Sequence, residues 1–349
     1  MVDWLAGNRV RGTSAERTTS AGFNDVVSIS GGWKELARTT LGSAGTSISV
    51  ASLPDKRYYK ILYDGKTITS AYEHAIRLNN DSGSNYAIRR ENNGGTDATL
   101  TSQTSMPLIT TSSGSDFGVG YISNLSSKEK LCIFDEVEER TGVANAPFRQ
   151  NTVGKWANTS NAIDRIDIIR SAGAGSIDTG SELVILGWDP ADTHTTNFWE
   201  ELASVSGDGS STTLSSGTIT AKKYLWTQLY SDATSNAVMR FNSDTGTNYA
   251  RRGSVNGASD FTVTSATGLS NLPSSNEAFG NAFIINNASN EKLVISNAID
   301  QNTAGAGNAP TRKEEVDKWT NTSSQITNIS WTKTGNWSSN AILKVWGSD

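Results

Sequence analysis

The sequence predicts an all-β fold, with two tandem, duplicated β-sandwiches of jelly-roll type behind an extended N-terminal arm. Three observations carry the prediction. The segment from Ile76 to Asp97, IRLNNDSGSNYAIRRENNGGTD, returns as Met239 to Asp260, MRFNSDTGTNYARRGSVNGASD, with 11 of 22 positions identical and no gap. A copy this good inside one chain marks a duplicated unit. Ser and Thr supply roughly a quarter of the 349 residues, Gly is common and Pro scarce, a mixture that suits pleated strands joined by short turns. Period-two alternation recurs along the chain, and no run sustains a capped 3.6-residue period.

The copies divide the chain into an arm at 1–31, one sandwich at 32–190 and a second at 191–349. The arm has no counterpart in the second half. It opens on Trp4 and Leu5 and runs into a polar, Gly-containing stretch with Arg9, Arg11 and Arg17. Such a segment is either a disordered tail or one that orders only against a neighbouring subunit with Trp4 as anchor, and on the second reading these five residues are the candidate partner-binding set. The first sandwich opens at Gly32-Trp33-Lys34-Glu35-Leu36-Ala37, matched by Phe198-Trp199-Glu200-Glu201-Leu202-Ala203. Ser47 to Val50 alternates as a strand. The aromatic runs Lys56 to Leu62 and Lys222 to Leu229 predict central strands.

The repeated segment predicts a β-hairpin, with Ile76 and Leu78 alternating before the turn and Tyr86 and Ile88 after it. Gly83, and Gly246 in the copy, is expected to supply a positive φ in that turn. Tyr121 to Ile133 and Phe283 to Ile295 predict a second hairpin pair. A long loop is expected from Thr141 to Ser160, matched from Thr303 to Ser323. The closing strands fall at Ile163 to Ile169 with Leu183 to Leu186, and at Ile326 to Trp331 with Ile342 to Val345. Ser70 to Ala75 and Arg312 to Trp319 are the only stretches with room for a helical turn.

Composition restricts the function. The net charge of −5, with Lys and Arg scattered among Asp and Glu, leaves no basic field for direct nucleic-acid binding. No stretch approaches the roughly 20 apolar residues of a membrane helix, and the N-terminus lacks an apolar core of signal-peptide length. The single cysteine, Cys132, is matched by Val294, which makes it a small buried filler. The two histidines, His74 and His194, have no patterned partners, so no catalytic triad or metal set is expected.

Four further features invite a site. The carboxylate run Asp135 to Glu139 is largely lost in the copy, Asn297 to Gln301, and is expected to be a solvated loop or subunit contact. A paired-carboxylate glycosidase is its enzymatic alternative. The oxygen-rich turns Asn79 to Asn85 and Asn242 to Asn248 suggest calcium, but their spacing departs from the twelve-residue calcium loop, so no cofactor is expected. Trp156 with Asn158 and Trp319 with Asn321 occupy equivalent loop positions, where an indole beside amides stacks on a sugar ring or packs the end of the sandwich.

WKELARTTLGSAG, RLNNDSGSNYAIRRENNGG, YISNLSSKEKL, NAPFRQNTVGKWANTSNAIDRIDI, ELVILGWD and the opening DWLAGNRVRGTSAER together resemble a loosely characterised group of virion structural proteins from marine viruses and phages. The resemblance spans the chain, more weakly in its second half. It implies a self-assembling capsid, capsid-decorating or tail component located in the virion, with copies of itself and other virion proteins as partners. It brings no catalytic residues. A glycan-binding adhesin or receptor-binding module is the alternative, with a host surface glycan as its partner.

Overall fold

The computed structural model describes residues 29–30, 32–66, 71–111, 114–190, 192–194, 197–232, 237–270, 272 and 277–349. Every named element among them is a β-strand, so the all-β tandem sandwich predicted from sequence is the observed fold. The proposed arm residues Trp4, Leu5, Arg9, Arg11 and Arg17 lie outside the described residues.

In chain order the first half contributes β1 (Ile29–Ser30), β2 (Lys34–Thr40), β3 (Ser47–Ala51), β4 (Tyr58–Gly65), β5 (Tyr72–Leu78), β6 (Tyr86–Asn92), β7 (Ala98–Gln103), β8 (Met106–Thr111), β9 (Asp116–Ser123), β10 (Lys130–Glu138), β11 (Phe148–Trp156), β12 (Arg165–Gly173), β13 (Glu182–Trp188) and β14 (Thr193–His194). The second contributes β15 (Glu200–Ser206), β16 (Thr213–Ser215), β17 (Tyr224–Ser231), β18 (Val238–Phe241), β19 (Tyr249–Val255), β20 (Phe261–Ala266), β21 (Ala278–Ile285), β22 (Lys292–Asp300), β23 (Thr311–Trp319), β24 (Ile329–Thr332) and β25 (Ile342–Ser348).

Each sandwich has one large and one small sheet. The large sheets have eight strands in the same spatial order, β2-β13-β4-β9-β10-β11-β6-β7 and β15-β25-β17-β21-β22-β23-β19-β20. The small sheets are β3-β12-β5-β8 and β16-β24-β18. Registers match as well. Tyr58 faces Ser123 as Tyr224 faces Ile285, and Lys130 faces Trp156 as Lys292 faces Trp319. Residues of the two copies are therefore equated below by register. The short pair β1–β14 ties Ile29–Ser30 to the connector at Thr193–His194.

Alternation built these strands. On β4, Tyr59, Ile61 and Tyr63 point into the first core, with Ile76, Ile122, Ile168 and Ile185. Leu62 points outward yet is also buried, in a third apolar cluster with Phe117, Val137, Tyr224, Phe283, Leu293 and Val316. That cluster draws on both halves, so the outer faces of the two large sheets pack on each other, with the second core formed as the first one is.

Four expectations need correction. The repeated segment is an arch rather than a hairpin, because β5 belongs to the small sheet and β6 to the large one. Period-two alternation reports a half-buried strand but not which sheet it joins. Nor does Gly83 supply the positive φ. Asn79 and Asn80 hold it, both at 51°, as Asn242 and Ser243 do in the copy. A Cβ on Gly83 would lie 2.8 Å from the Asn85 side-chain Nδ2, and one on Gly246 would lie 2.7 Å from that of Asn248, so a larger residue would displace the Asn side chain that bonds the arch carboxylate. Finally, the middle of the expected long loop, Phe148–Trp156, is strand β11, and both suggested helical turns are strand, at β5 and β23.

Candidate functional site

Trp156 ends β11 and Trp319 ends β23, and both indoles are fully buried. Each donates its Nε1–H to a carboxylate of the arch, Trp156 to Asp81 Oδ2 at 2.7 Å and Trp319 to Asp244 Oδ2 at 2.7 Å. Tyr86 and Tyr249 stack on them with ring centroids 6.4 Å apart. Asn158 and Asn321 cap their own turns. The Asn158 Oδ1 accepts from the amides of Ser160 and Asn161, the Asn321 Oδ1 from those of Ser323 and Ser324. The buried indoles present no open face on which a sugar could stack. Trp156 and Trp319 instead lock the arch to the end of the large sheet.

The same arch explains the calcium-like turns. Asp81 also accepts from the Gly83 amide at 2.8 Å and the Asn85 side-chain amide at 2.9 Å, and Asp244 accepts the same pair from Gly246 and Asn248. Both oxygens of each carboxylate thus accept hydrogen bonds from donors of the same arch. Among the described residues no group of His, Cys, Asp and Glu is arranged as a metal site.

The carboxylate run is not a solvated loop. Asp135 to Glu138 lie on β10 at the centre of the large sheet, with Glu136 and Glu138 buried. Glu136 meets His74, whose Nε2 lies 2.9 Å from Glu136 Oε1 and 3.6 Å from Asp116 Oδ2. Tyr63 and Tyr72 pack on the imidazole. Burial pushes the Asp116 carboxyl up to about 7. Burial alone would lower His74, but the carboxylates of Asp116 and Glu136 reverse this and raise it. His74, Asp116 and Glu136 are all buried. In the second sandwich the places of Tyr63, His74, Asp116 and Glu136 are taken by Leu229, Ala237, Ala278 and Ala298, all buried. Sequence reading missed the cluster because Glu136 is 62 residues from His74. The signal was available in the joint loss of His74 and the carboxylates from the copy.

A second buried polar set lies between the sandwiches. The Lys60 ammonium points at the Phe283 ring, 3.6 Å from its centroid, with Tyr121, Trp199 and Trp226 also within 6 Å. Burial pushes its pKa well below the usual lysine range. The Arg149 guanidinium bonds Asp260 at 2.8 Å, with both buried. Lys223 bridges Asp64 at 3.0 Å and Glu182 at 3.1 Å. Lys318, paired with Glu291 at 2.9 Å, donates to the carbonyls of Arg140 and Gly142, while the Gly142 amide donates to Glu291.

This junction joins non-equivalent halves of equivalent faces. The first sandwich offers Phe117, Val137 and Arg149, and the second offers Tyr224, Leu293, Ile295 and Val316. The equivalents of the latter in the first sandwich are Tyr58, Leu131, Ile133 and Val153, the same residue types. Leu131, Ile133 and Val153 are 57%, 53% and 49% exposed, while Leu293, Ile295 and Val316 are 0%, 4% and 2% exposed. A groove of about 330 Å³ runs along this open half, lined by Trp33, Tyr58, Tyr121, Leu131, Ile133 and Trp188. On the second sandwich the equivalents of Phe117 and Val137, Phe279 and Ile299, are 40% and 46% exposed.

The fold and these surfaces define a tandem β-sandwich protein with two open apolar faces. No protein-family model matches the chain, and no curated protein matches it. Among solved structures, human GIVD cytosolic phospholipase A2 is similar with a TM-score of 0.12 and 7% identity over 76% of this chain. The match spans 33% of that protein's chain, and a likeness at this level carries no argument about fold or activity.

Proposed function

We propose that this chain is a structural assembly protein, used in many copies and joined through the outer faces of its sandwiches and its N-terminal segment. The observation that carries this reading is the pair of uncovered apolar half-faces, Leu131, Ile133 and Val153 at one end and Phe279 and Ile299 at the other. Exposed apolar surface gathered in one place on an ordered sheet is characteristic of an interaction site. A virion is the setting suggested by the sequence resemblance, with the chain as a capsid, capsid-decorating or tail component and other virion proteins as further partners. The adhesin reading loses its motivation, because Trp156 and Trp319 are buried.

Sedimentation velocity of the full chain from micromolar to millimolar concentration tests the reading. Species heavier than the 37.2 kDa chain, growing with concentration, are expected. A single monomeric boundary throughout contradicts it.

A further inference from the structure

We infer that the open half-face of the first sandwich docks on the open half-face of the second sandwich of another copy, repeating between chains the contact that joins the sandwiches within one chain. The inference deepens the assembly reading and rests on it. It names the partner as a second copy and the arrangement as head-to-tail.

The occupant is argued from the duplicated interface. Within the chain, Leu293, Ile295, Val316 and Tyr224 are covered by the sheet half that carries Phe117, Val137 and Arg149. Leu131, Ile133, Val153 and Tyr58 present the same side chains from the same register positions. The surface that fits them is therefore already defined, and the second sandwich carries a version of it in Phe279, Ile299 and Arg312, the register equivalents of Phe117, Val137 and Arg149.

The polar rim repeats too. Lys155 and Glu129 pair at 2.8 Å, as Lys318 and Glu291 do at 2.9 Å. Among the described residues only the second pair receives a loop, the carbonyls and amide at Arg140–Gly142. Arg140 opens that loop with φ 49°, and Asn302 opens the equivalent one with φ 55°. Arg57 lies over Tyr58 as Lys223 lies over Tyr224, 5.7 Å and 5.5 Å from the ring centroids.

The differences set the strength of the contact. Asp64 and Glu182, which hold Lys223, are replaced by Tyr230 and Ile342, both exposed. Leu62, Val119 and Val184 are replaced by Gln228, Asn281 and Lys344. A contact with fewer ion pairs and a more polar centre is weaker than the intrachain one, so it forms reversibly. Because the two surfaces are different, the contact is heterologous and does not close on itself as a two-fold dimer. It propagates to a ring or an open filament.

The test uses Ile133→Asp and Ile299→Asp, each at an exposed position and each blocking one end. Either variant alone is expected to lose every species above monomer in sedimentation velocity. Mixed in equal amounts, they are expected to regain one species of twice the monomer mass and nothing larger, because one intact pair of ends remains. Monomer alone in the mixture, with both variants melting as the wild type does, overturns the head-to-tail contact; a variant that melts differently is replaced by Val153→Asp or Phe279→Asp, exposed positions of the same two faces. Wild-type assembly that survives both substitutions overturns it too, while leaving the assembly reading in place. A wild-type chain that stays monomeric at all concentrations overturns both.

Discussion

Leu131 and Leu293 fill one position in two copies of the same sheet, and only Leu293 is covered. Both lie next to strand β9 or its copy β21 and both point away from their own core. Leu293 is buried because the first sandwich lies over it. Truncating it leaves a cavity in the junction, so Leu293→Ala is expected to cost about 2–5 kcal/mol. Leu131→Ala is expected to stay within about 0.5 kcal/mol in dilute solution. Urea denaturation of the two variants checks the contrast. Equal costs would show that the junction does not cover Leu293.

The cage around Lys60 predicts an unusual pH dependence. Its folded pKa lies well below the usual lysine range because burial disfavours the ammonium. The unfolded chain therefore binds more protons between the two pKa values, and stability rises with pH across that window. Contact with an aromatic face contributes about 0.5–2 kcal/mol, and burial of the ammonium is taken to cost more than this. Lys60→Met is expected to raise the melting temperature at neutral pH and to remove the gain on going alkaline. A lower melting temperature would show that the rings hold the charge better than water does.

The indole–carboxylate latch is predicted to stabilise both sandwiches alike. Asp81→Ala and Asp244→Ala each strand a buried Nε1–H, at an expected cost of about 1–3 kcal/mol. Burial alone would raise these carboxyls, but the hydrogen bonds from the indole, the Asn side chain and the Gly amide hold both below the usual carboxylate range. Their contribution is thus present above the ordinary aspartate pKa and lost as the pH falls through the folded one. Thermal melts of the two variants from neutral to acid pH read this directly. Unchanged acid sensitivity in both would contradict it.

The second sandwich forecasts the behaviour of the His74 cluster. Removing one member leaves charge buried without its partner, and His74→Ala is expected to cost about 3–5 kcal/mol. Replacing His74, Asp116 and Glu136 together by Ala, the set the second sandwich already carries, is expected to cost much less than the sum of the single changes. Asp116 at about 7 and the raised His74 both bind protons more tightly when folded. For Asp116, stability is therefore lost as the pH rises from the ordinary aspartate range to about 7, and for His74 it is lost as the pH rises through its folded value. The wild type should be more stable in mild acid, and the triple variant should lose that slope. Additive single costs would show that the three side chains do not act as a unit.

Much of this architecture was legible in the sequence. The ungapped repeat, the aromatic runs of β4 and β17 and the pairing of Tyr121 to Ile133 all reappear in register. What was not legible depended on the second layer. Arg149, Gln150, Asn151 and Thr152 read as loop because they are polar, yet they lie on a central strand. Arg149, Gln150 and Thr152 are buried there, and Arg149 finds its charge partner, Asp260, in the other sandwich. Asp135 to Glu138 read as solvated for the same reason. Trp156 and Trp319 read as candidate platforms because the sequence does not show that Asp81 and Asp244 reach back to them across the arch. The exposed half-face could be read only once Leu131 and Leu293 were seen in the same place with different surroundings.

Electron microscopy of the native assembly, purified at high concentration, tests the central claim most directly. The account predicts rings or filaments in which sandwich follows sandwich, with the contact between neighbouring copies in the same orientation as the contact within a copy. Isolated two-sandwich particles, or pairs related by a two-fold axis across the Leu131 face, would contradict it.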